Sequence, residues 1–413
     1  MPEPSLDRIR ELAELLDHPE LTYPSIHVTG TNGKTTTARI VTAIACGHGL
    51  TTGTFVSPHV VSVNERLSIC GEPIPDEEFA ETYEHLLPFM QQVDGIELRV
   101  TYFETLTALA YLWFADKPVG LGVFEVGLGG AWDATNLISG DVAVICPIGL
   151  DHTRQLGSTV ELIATEKAGI IKEGRVAVVR EQRPKALAVI ERRCKEMGAS
   201  MLLEGRDFAL ASRAQGVGGQ SIEIRGIHRS YDELFTPLFG DHSARNAAAG
   251  IVACEALFGR ELNERSVRAA VRAVASPGRL EIVARRPLVI MDGAHNPDAA
   301  SAVVETLSES FQWERLHLVV GMSGDKDVES VCGTLAQLAG HKAFACRYSS
   351  PRSAPAGRVA KALGDAGVPE VQEYDTVEAA VEAAILDAVP DDLILVTGSF
   401  YTVADARPLF VGA

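Results

Sequence analysis

The sequence predicts an α/β protein: a mostly parallel sheet with helices on both faces, followed by a smaller α/β domain of Rossmann-like type. Three observations predict it. Strand-like apolar runs alternate with helical patterns through most of the 413 residues. The stretch from Ile26 to Thr37 passes from an apolar strand through a glycine loop into a helix. The strand–helix alternation then restarts after the turn-rich Ser276-Pro277-Gly278-Arg279.

Taken in order, residues 6–16 have the apolar spacing of an amphipathic helix, and Ile26-His27-Val28-Thr29 reads as a strand. Residues 105–114 read as a helix, and residues 119–126 and 141–146 as buried strands. Ser158 opens a further helix, with Glu161 three residues later completing a capping box. Residues 208–239 are Gly-rich, and alternation at 221–225 marks a small antiparallel insertion. A helix follows over 244–258. Residues 287–291, 316–320 and 393–397 are the strands of the second α/β pattern. The junction falls near residues 277–284, which divides the chain into domains 1–280 and 281–413.

Composition excludes some partners. A formal charge of −18 disfavours a nucleic-acid role, which needs a basic face. Hydrophobic content of 46% with 22% charged residues is ordinary for a soluble enzyme. Cysteines 46, 70, 146, 194, 254, 332 and 346 are odd in number and lack a CxxC pairing, a pattern of reduced thiols. Residues 1–5 have no leader organisation, and no apolar run approaches the roughly 18 residues of a membrane span. The expectation is a cytoplasmic monomer that uses neither membrane nor nucleic acid.

The chemistry centres on Thr29-Gly30-Thr31-Asn32-Gly33-Lys34-Thr35-Thr36-Thr37. Glycines let several N–H groups converge on one anion, and the following helix adds its positive end. Lys34 would reach outer phosphates and Thr35 would offer a hydroxyl to Mg²⁺. The loop departs from the general phosphate-loop spacing, whose first glycine would fall at Val28. Glu125 ends a strand and precedes Gly127, Gly129 and Gly130, where a carboxylate either holds Mg²⁺ or is a helix-capping or solvated group. His152, in Gly149-Leu150-Asp151-His152, is at even odds a metal ligand or a structural residue. Ser57, in Ser57-Pro58-His59, is either a further hydroxyl for the metal or part of a plain turn. Lys167 is either a solvated charge or an inward amine whose burial keeps it neutral. In the second half, Asp292-Gly293-Ala294-His295-Asn296, Asp325-Lys326-Asp327 and Gly398-Ser399-Phe400-Tyr401 each follow a strand, which suggests a second substrate surface.

These motifs together resemble the bacterial folylpolyglutamate synthase/dihydrofolate synthase family of the Mur-ligase superfamily. The match runs from Pro4 to the end. It includes Gly-Thr-Asn-Gly-Lys (30–34), Ser-Pro-His with Asn-Glu-Arg (57–66), Thr-Tyr-Phe-Glu (101–104) and Glu-Val-Gly-Leu-Gly-Gly with Asp-Ala-Thr-Asn (125–136). It continues through Gly-Leu-Asp-His (149–152), Glu-Lys-Ala-Gly-Ile-Ile-Lys (166–172), Pro-Gly-Arg-Leu-Glu (277–281), Asp-Gly-Ala-His-Asn-Pro (292–297) and Thr-Gly-Ser (397–399).

The resemblance implies a P-loop ATPase domain, a C-terminal glutamate-ligase domain, and the cofactors ATP and Mg²⁺. ATP would phosphorylate a pterin carboxylate, the glutamate amine would attack the acyl phosphate, and phosphate would leave. It further implies that Gly30, Thr31, Asn32, Gly33, Lys34, Thr35 and Thr36 cradle the nucleotide, with Asn246, Arg279 and Asp292. Thr35, Ser57, Glu125 and His152 would hold the metal. Lys34, Lys167 and His295 would serve catalysis, Lys167 as a carbamate, and His295 with Ser399 would organise glutamate. An acyl phosphate must be kept from water, which calls for a site closed between the two domains. Two departures stand out: Thr35-Thr36-Thr37 replaces the Gly-Ser of many folate members, and few residues precede the first helix. Asn64-Glu65-Arg66 tilts the reading towards a bifunctional enzyme. The rivals are a cell-wall Mur ligase and a non-catalytic ATP-binding module.

Overall fold

The structure, a computed structural model, describes residues 5–94, 99–338 and 341–411. Residues 1–4, where a leader was sought and where the family match begins, lie outside them. The chain forms two compact units, one of residues up to Pro237 with His242–Ala275, the other of Leu238–Asp241 with residues from Ser276 onward.

The first unit is built on eight strands: β1 Ser25–Thr29, β2 Thr52–Phe55, β3 Leu67–Ile69, β4 Glu72–Pro73, β5 Leu121–Glu125, β6 Val142–Ile145, β7 Val176–Val179 and β8 Ser200–Leu203. Their order is β4-β3-β2-β5-β1-β6-β7-β8. Pairing is parallel from β2 through β8 and antiparallel at β2–β3 and β3–β4. β1 thus lies mid-sheet with every residue buried, as a strand covered on both faces should. One apolar cluster gathers Ile9, Leu12, Phe55, Leu106 and Phe124, and another Val126, Ile145, Ile163, Ile170 and Ile190.

The insertion is a three-stranded antiparallel sheet, β9 Ala209–Gly216, β10 Gly219–Arg225 and β11 Ser230–Thr236, as the alternation in 221–225 predicts. The second unit is a six-stranded sheet of β12 Glu281–Arg285, β13 Leu288–Met291, β14 Leu316–Val320, β15 Lys342–Cys346, β16 Glu370–Tyr374 and β17 Leu393–Thr397, ordered β12-β13-β17-β14-β15-β16. All its pairs are parallel except β12–β13.

The structure corrects several expectations. The helix expected from Ser158 spans Val160–Ala168, and its cap is Thr159, whose hydroxyl accepts from Leu162 N–H at 3.3 Å. The helix expected at 105–114 begins earlier and spans Tyr102–Asp116. Thr101 and Glu104 form its capping box, so this part of the family motif does structural work. Glu104 also holds the buried Arg8 at 3.0 Å. Glu65 likewise spends its carboxylate on the N–H groups of Val60, Val61 and Ser62. The cysteines are not all reduced thiols: Cys46 and Cys70 are disulfide-bonded, with Cα atoms 5.8 Å apart. The end of helix Lys34–Gly47 and the turn after β3 bring them together, a proximity that their spacing of 24 residues does not reveal. The other five cysteines are free and buried.

Candidate active-site surfaces

The loop 30–33 leaves the carboxyl end of β1 where its neighbours are β5 and β6, the place at which open α/β sheets build sites. Its glycines are required. Gly30 has φ +147°, and a Cβ there would lie 2.5 Å from Cys146 Cβ. Gly33 has φ +89°, and its Cβ would meet Asn246 Oδ1 at 2.7 Å. Thr31 stitches the loop to the segment after β6, its N–H donating to Pro147 O at 2.9 Å and its hydroxyl to Gly149 O at 3.1 Å. Asn32 is half-buried in the loop, and Thr36 is buried in the first turn of the helix. That helix, Lys34–Gly47, begins directly behind the loop, so its positive end is turned towards an anion held there. The Lys34 ammonium lies across the loop, donating to Gly30 O at 3.2 Å and Thr31 O at 3.3 Å.

Glu125 is the last residue of β5, paired in register with Val28 of β1 and 1% exposed. The reading of a solvated carboxylate does not hold. Its Oε1 accepts from the Thr35 hydroxyl at 3.0 Å, and its Oε2 from the Ser57 N–H at 3.2 Å. Thr35, Ser57 and Glu125 are therefore gathered at one point. His152 follows β6 in a left-handed backbone conformation with φ +50°, and its Nε2 lies 3.9 Å from Asp151 Oδ2. Among the described residues no group of three or more His, Cys, Asp or Glu is assembled to hold a metal ion. One carboxylate with neighbouring hydroxyls is instead the partial oxygen set that suits Mg²⁺ sharing its shell with phosphates and water.

Lys167 points inward: it is 5% exposed, and its ammonium donates to Gly30 O at 2.8 Å. Burial, with the nearby Lys34 charge, lowers its pKa to about 7, so much of the amine is neutral at physiological pH. Asn246 is buried on the helix Asp241–Phe258, and its Oδ1 accepts from the Arg180 guanidinium. Arg180 also pairs with Glu204 at 2.7 Å. Sequence reasoning missed this arginine, although it directly follows the apolar β7, the same strand-end position that flagged Glu125.

In the second unit, the parallel β13, β14 and β17 place Asp292, Asp325 and Ser399 at one sheet edge, as expected. Asp292 accepts from Leu280 N–H at 2.9 Å and Ala294 N–H at 2.8 Å. Burial raises its pKa, against the Arg279 charge and these N–H groups. The Arg279 guanidinium carbon sits 4.3 Å from the Phe400 ring centroid. His295 Nδ1 donates to Gly293 O at 2.9 Å. Ser399 caps helix Phe400–Ala406, accepting from Tyr401 N–H at 3.2 Å. Asn296 caps Pro297–Ser310 and Asp327 caps Val328–Leu335.

Comparison with known proteins places the chain in a family. The pattern of the Mur ligase middle domain matches residues 28–254, and that of the Mur ligase glutamate ligase domain matches residues 278–400. The dihydrofolate synthase/folylpolyglutamate synthase of Mycobacterium tuberculosis is 38% identical over 440 residues, covering 99% of this chain and 90% of its own. The chain belongs to the folylpolyglutamate synthase/dihydrofolate synthase family of the Mur-ligase superfamily. A solved structure of Mycobacterium tuberculosis folylpolyglutamate synthase complexed with ADP and AMPPCP is similar to this family member with a TM-score of 0.95 and 39% identity, covering 99% of this chain and 96% of the other. A bifunctional folylpolyglutamate synthase/dihydrofolate synthase solved with Mn, AMPPNP and L-glutamate bound gives a TM-score of 0.87 at 31% identity, with 99% and 95% covered.

Proposed function

We propose that this enzyme joins L-glutamate to a pterin carboxylate at the expense of ATP, accepting both dihydropteroate and reduced folates. The observation that carries the reading is the convergence at the end of β1: a glycine loop, Lys34, the Thr35–Glu125–Ser57 cluster and the buried amine of Lys167. It is supported by the nucleotide, metal and glutamate ligands of the related structures.

The roles follow from charge. Two anions, the pterin carboxylate and the γ-phosphate, must approach, so catalysis is chiefly positioning and charge neutralisation. The glycine loop 30–33, the first turn of the helix that follows it and the Lys34 ammonium bind and orient the triphosphate. Thr35, Ser57 and Glu125 would hold Mg²⁺, with His152 as a further ligand, and the bound ion would supply electrostatic stabilisation of the phosphate oxygens. The carboxylate oxygen bonds to the γ-phosphorus as ADP leaves. The neutral glutamate amine then attacks the acyl carbon, an amide bond forms and phosphate departs. Lys167, its amine largely neutral, forms an N–C bond to CO₂, gives up a proton to solvent and becomes a carbamate anion beside the loop. Asn246, Arg279 and Asp292 contact the nucleotide, and His295 and Ser399 orient glutamate. We place the enzyme in the cytoplasm as a monomer; among the described residues no helix is long and apolar enough to cross a membrane. The test is to offer ATP, Mg²⁺ and glutamate with each pterin separately and to mass the products. A product one glutamate heavier from both pterins is expected, and no glutamylated product from either overturns the reading.

A further inference from the structure

The central strand β1 is fully buried, yet it carries polar side chains at Ser25, His27 and Thr29, alternating with the apolar Ile26 and Val28. Buried polar groups are costly unless bonded, so the partners of these three residues are informative. All three reach the segment that follows Glu125. The Thr29 hydroxyl donates to Gly129 O at 3.1 Å, His27 Nε2 lies 2.8 Å from Thr135 Oγ1, and Ser25 Oγ lies 2.9 Å from Ser139 Oγ. Residues 129–139 therefore run back along β1 from its carboxyl end towards its amino end, fastened at every second residue.

The middle fastening has a definite direction. The Thr135 hydroxyl donates to Asp133 Oδ1, which also accepts from Thr135 N–H at 3.0 Å, while Asp133 Oδ2 accepts from Leu128 N–H at 2.8 Å. Thr135 has one proton and gives it to the carboxylate, so its oxygen can only accept from the imidazole. His27 is thereby held as the Nε2–H tautomer, and its buried Nδ1 has no hydrogen-bond partner among the described residues. Burial and the Lys172 charge lower the pKa of the ring and keep it neutral. The loop fixed in this way meets the helix that carries Lys167. Ala131 N–H donates to Glu166 O at 2.9 Å, and a Cβ on Gly130 would lie 2.7 Å from the same oxygen.

We propose that His27 is a positioning residue: through Thr135 and Asp133 it sets the loop 127–131, and thus the placement of Glu125 and Lys167 beside the phosphate loop. The proposal rests on the ATP-ligase reading for its activity readout, and on Mn²⁺–nucleotide binding for one that does not need ligation.

The experiment uses the full chain as His27→Gln, His27→Asn and His27→Phe. A glutamine amide nitrogen reaches about as far as Nε2 and can donate to Thr135, whereas an asparagine amide ends near the position of Nδ1. Mn²⁺ binding with AMPPCP is followed by paramagnetic resonance, alongside kcat and KM for glutamate. Phe and Asn should weaken Mn²⁺–nucleotide binding and lower kcat by about 10- to 100-fold, the usual cost of losing a residue that orients a metal ligand. KM for glutamate should stay unchanged, and Gln should recover most of the loss. Nitrogen-15 spectra of labelled histidine should place the His27 proton on Nε2. Wild-type Mn²⁺ binding in the Phe variant, equal behaviour of Asn and Gln, or a proton on Nδ1 would each overturn the proposal. Should the His27 variants not fold, Thr135→Ser against Thr135→Val repeats the contrast, since only Ser keeps the hydroxyl; equal Mn²⁺ binding in that pair overturns it. A wild-type chain that binds Mn²⁺–nucleotide but ligates nothing would sink the glutamate-ligase reading and leave the relay test intact.

Discussion

The two units place polar residues at the carboxyl edge of a parallel sheet in different ways. In the first unit the buried charged groups bond to the loop and its neighbours: Glu125 takes the Thr35 hydroxyl and the Ser57 N–H, and Lys167 donates to the Gly30 carbonyl. In the second unit the same kind of residue builds the turn it stands on. Asp292 gathers the N–H groups of Leu280 and Ala294, while Ser399 and Asn296 cap helices. The difference separates two ways of failing. Substitutions at the edge of β1 should remove chemistry and leave the fold, whereas substitutions at the edge of β13 and β17 should cost stability as well.

Lys34→Ala gives the largest effect, a loss of about 10²-fold or more in turnover from removing one preorganised electrostatic group, with an unchanged thermal midpoint. Near-wild-type turnover would break the first half of the comparison. Lys167→Ala should also inactivate, and a small carboxylic acid added to the assay should restore part of the activity by standing in for the carbamate. The carbamate itself should appear by ¹³C NMR, and an unmodified amine in fully active enzyme would refute its role. In the second unit, Asp292→Ala leaves two buried N–H groups without their acceptor, at about 1–3 kcal/mol each in denaturant unfolding. Ser399→Ala should cost about 1 kcal/mol through its cap, alongside any change in KM for glutamate. If either variant loses activity with no loss of stability, the two edges are alike after all.

The smallest effect is a pH dependence. Lys167 has its pKa lowered from 10.5 to about 7 in the folded chain. Between these values the unfolded chain binds one more proton than the folded one at this site, so its contribution to stability rises with pH across that window and is flat below it. In CO₂-free buffer, where the amine stays uncarbamylated, Lys167→Met should therefore flatten the wild-type slope of stability between pH 7 and 10. An unchanged slope would mean that this amine is not desolvated.

Much of this was legible in the sequence, because the signals are local. A glycine loop between strand and helix marks Lys34 and Thr35, and the end of an apolar run marks Glu125. The antiparallel insertion follows from alternation in residues 221–225. What escaped depends on partners distant in sequence. The Cys46–Cys70 bond and the pairing of Arg180 with Asn246 join residues that no local pattern connects. The helix cap at Thr159 was placed one residue early because Ser158 and Thr159 are both good caps. The short antiparallel β12 was missed because Glu281 and Arg285 leave only three apolar residues, 282–284, between them. Glu104 and Glu65 stand in motifs that carry the family resemblance, and only their hydrogen bonds reveal that they cap backbone N–H groups. His27 sat unremarked inside the most informative stretch, since nothing in a strand pattern says which loop a buried imidazole will hold.

The central claim is that the cradle at the end of β1 drives glutamate ligation, and ADP release tests it most directly. Purified enzyme is given ATP and Mg²⁺ with pterin alone, with glutamate alone, and with both. The account predicts sustained ADP release only when both are present, one glutamate joined per ADP formed, and loss of that release in Lys34→Ala. ADP release indifferent to glutamate and pterin, with no amide product, would contradict it.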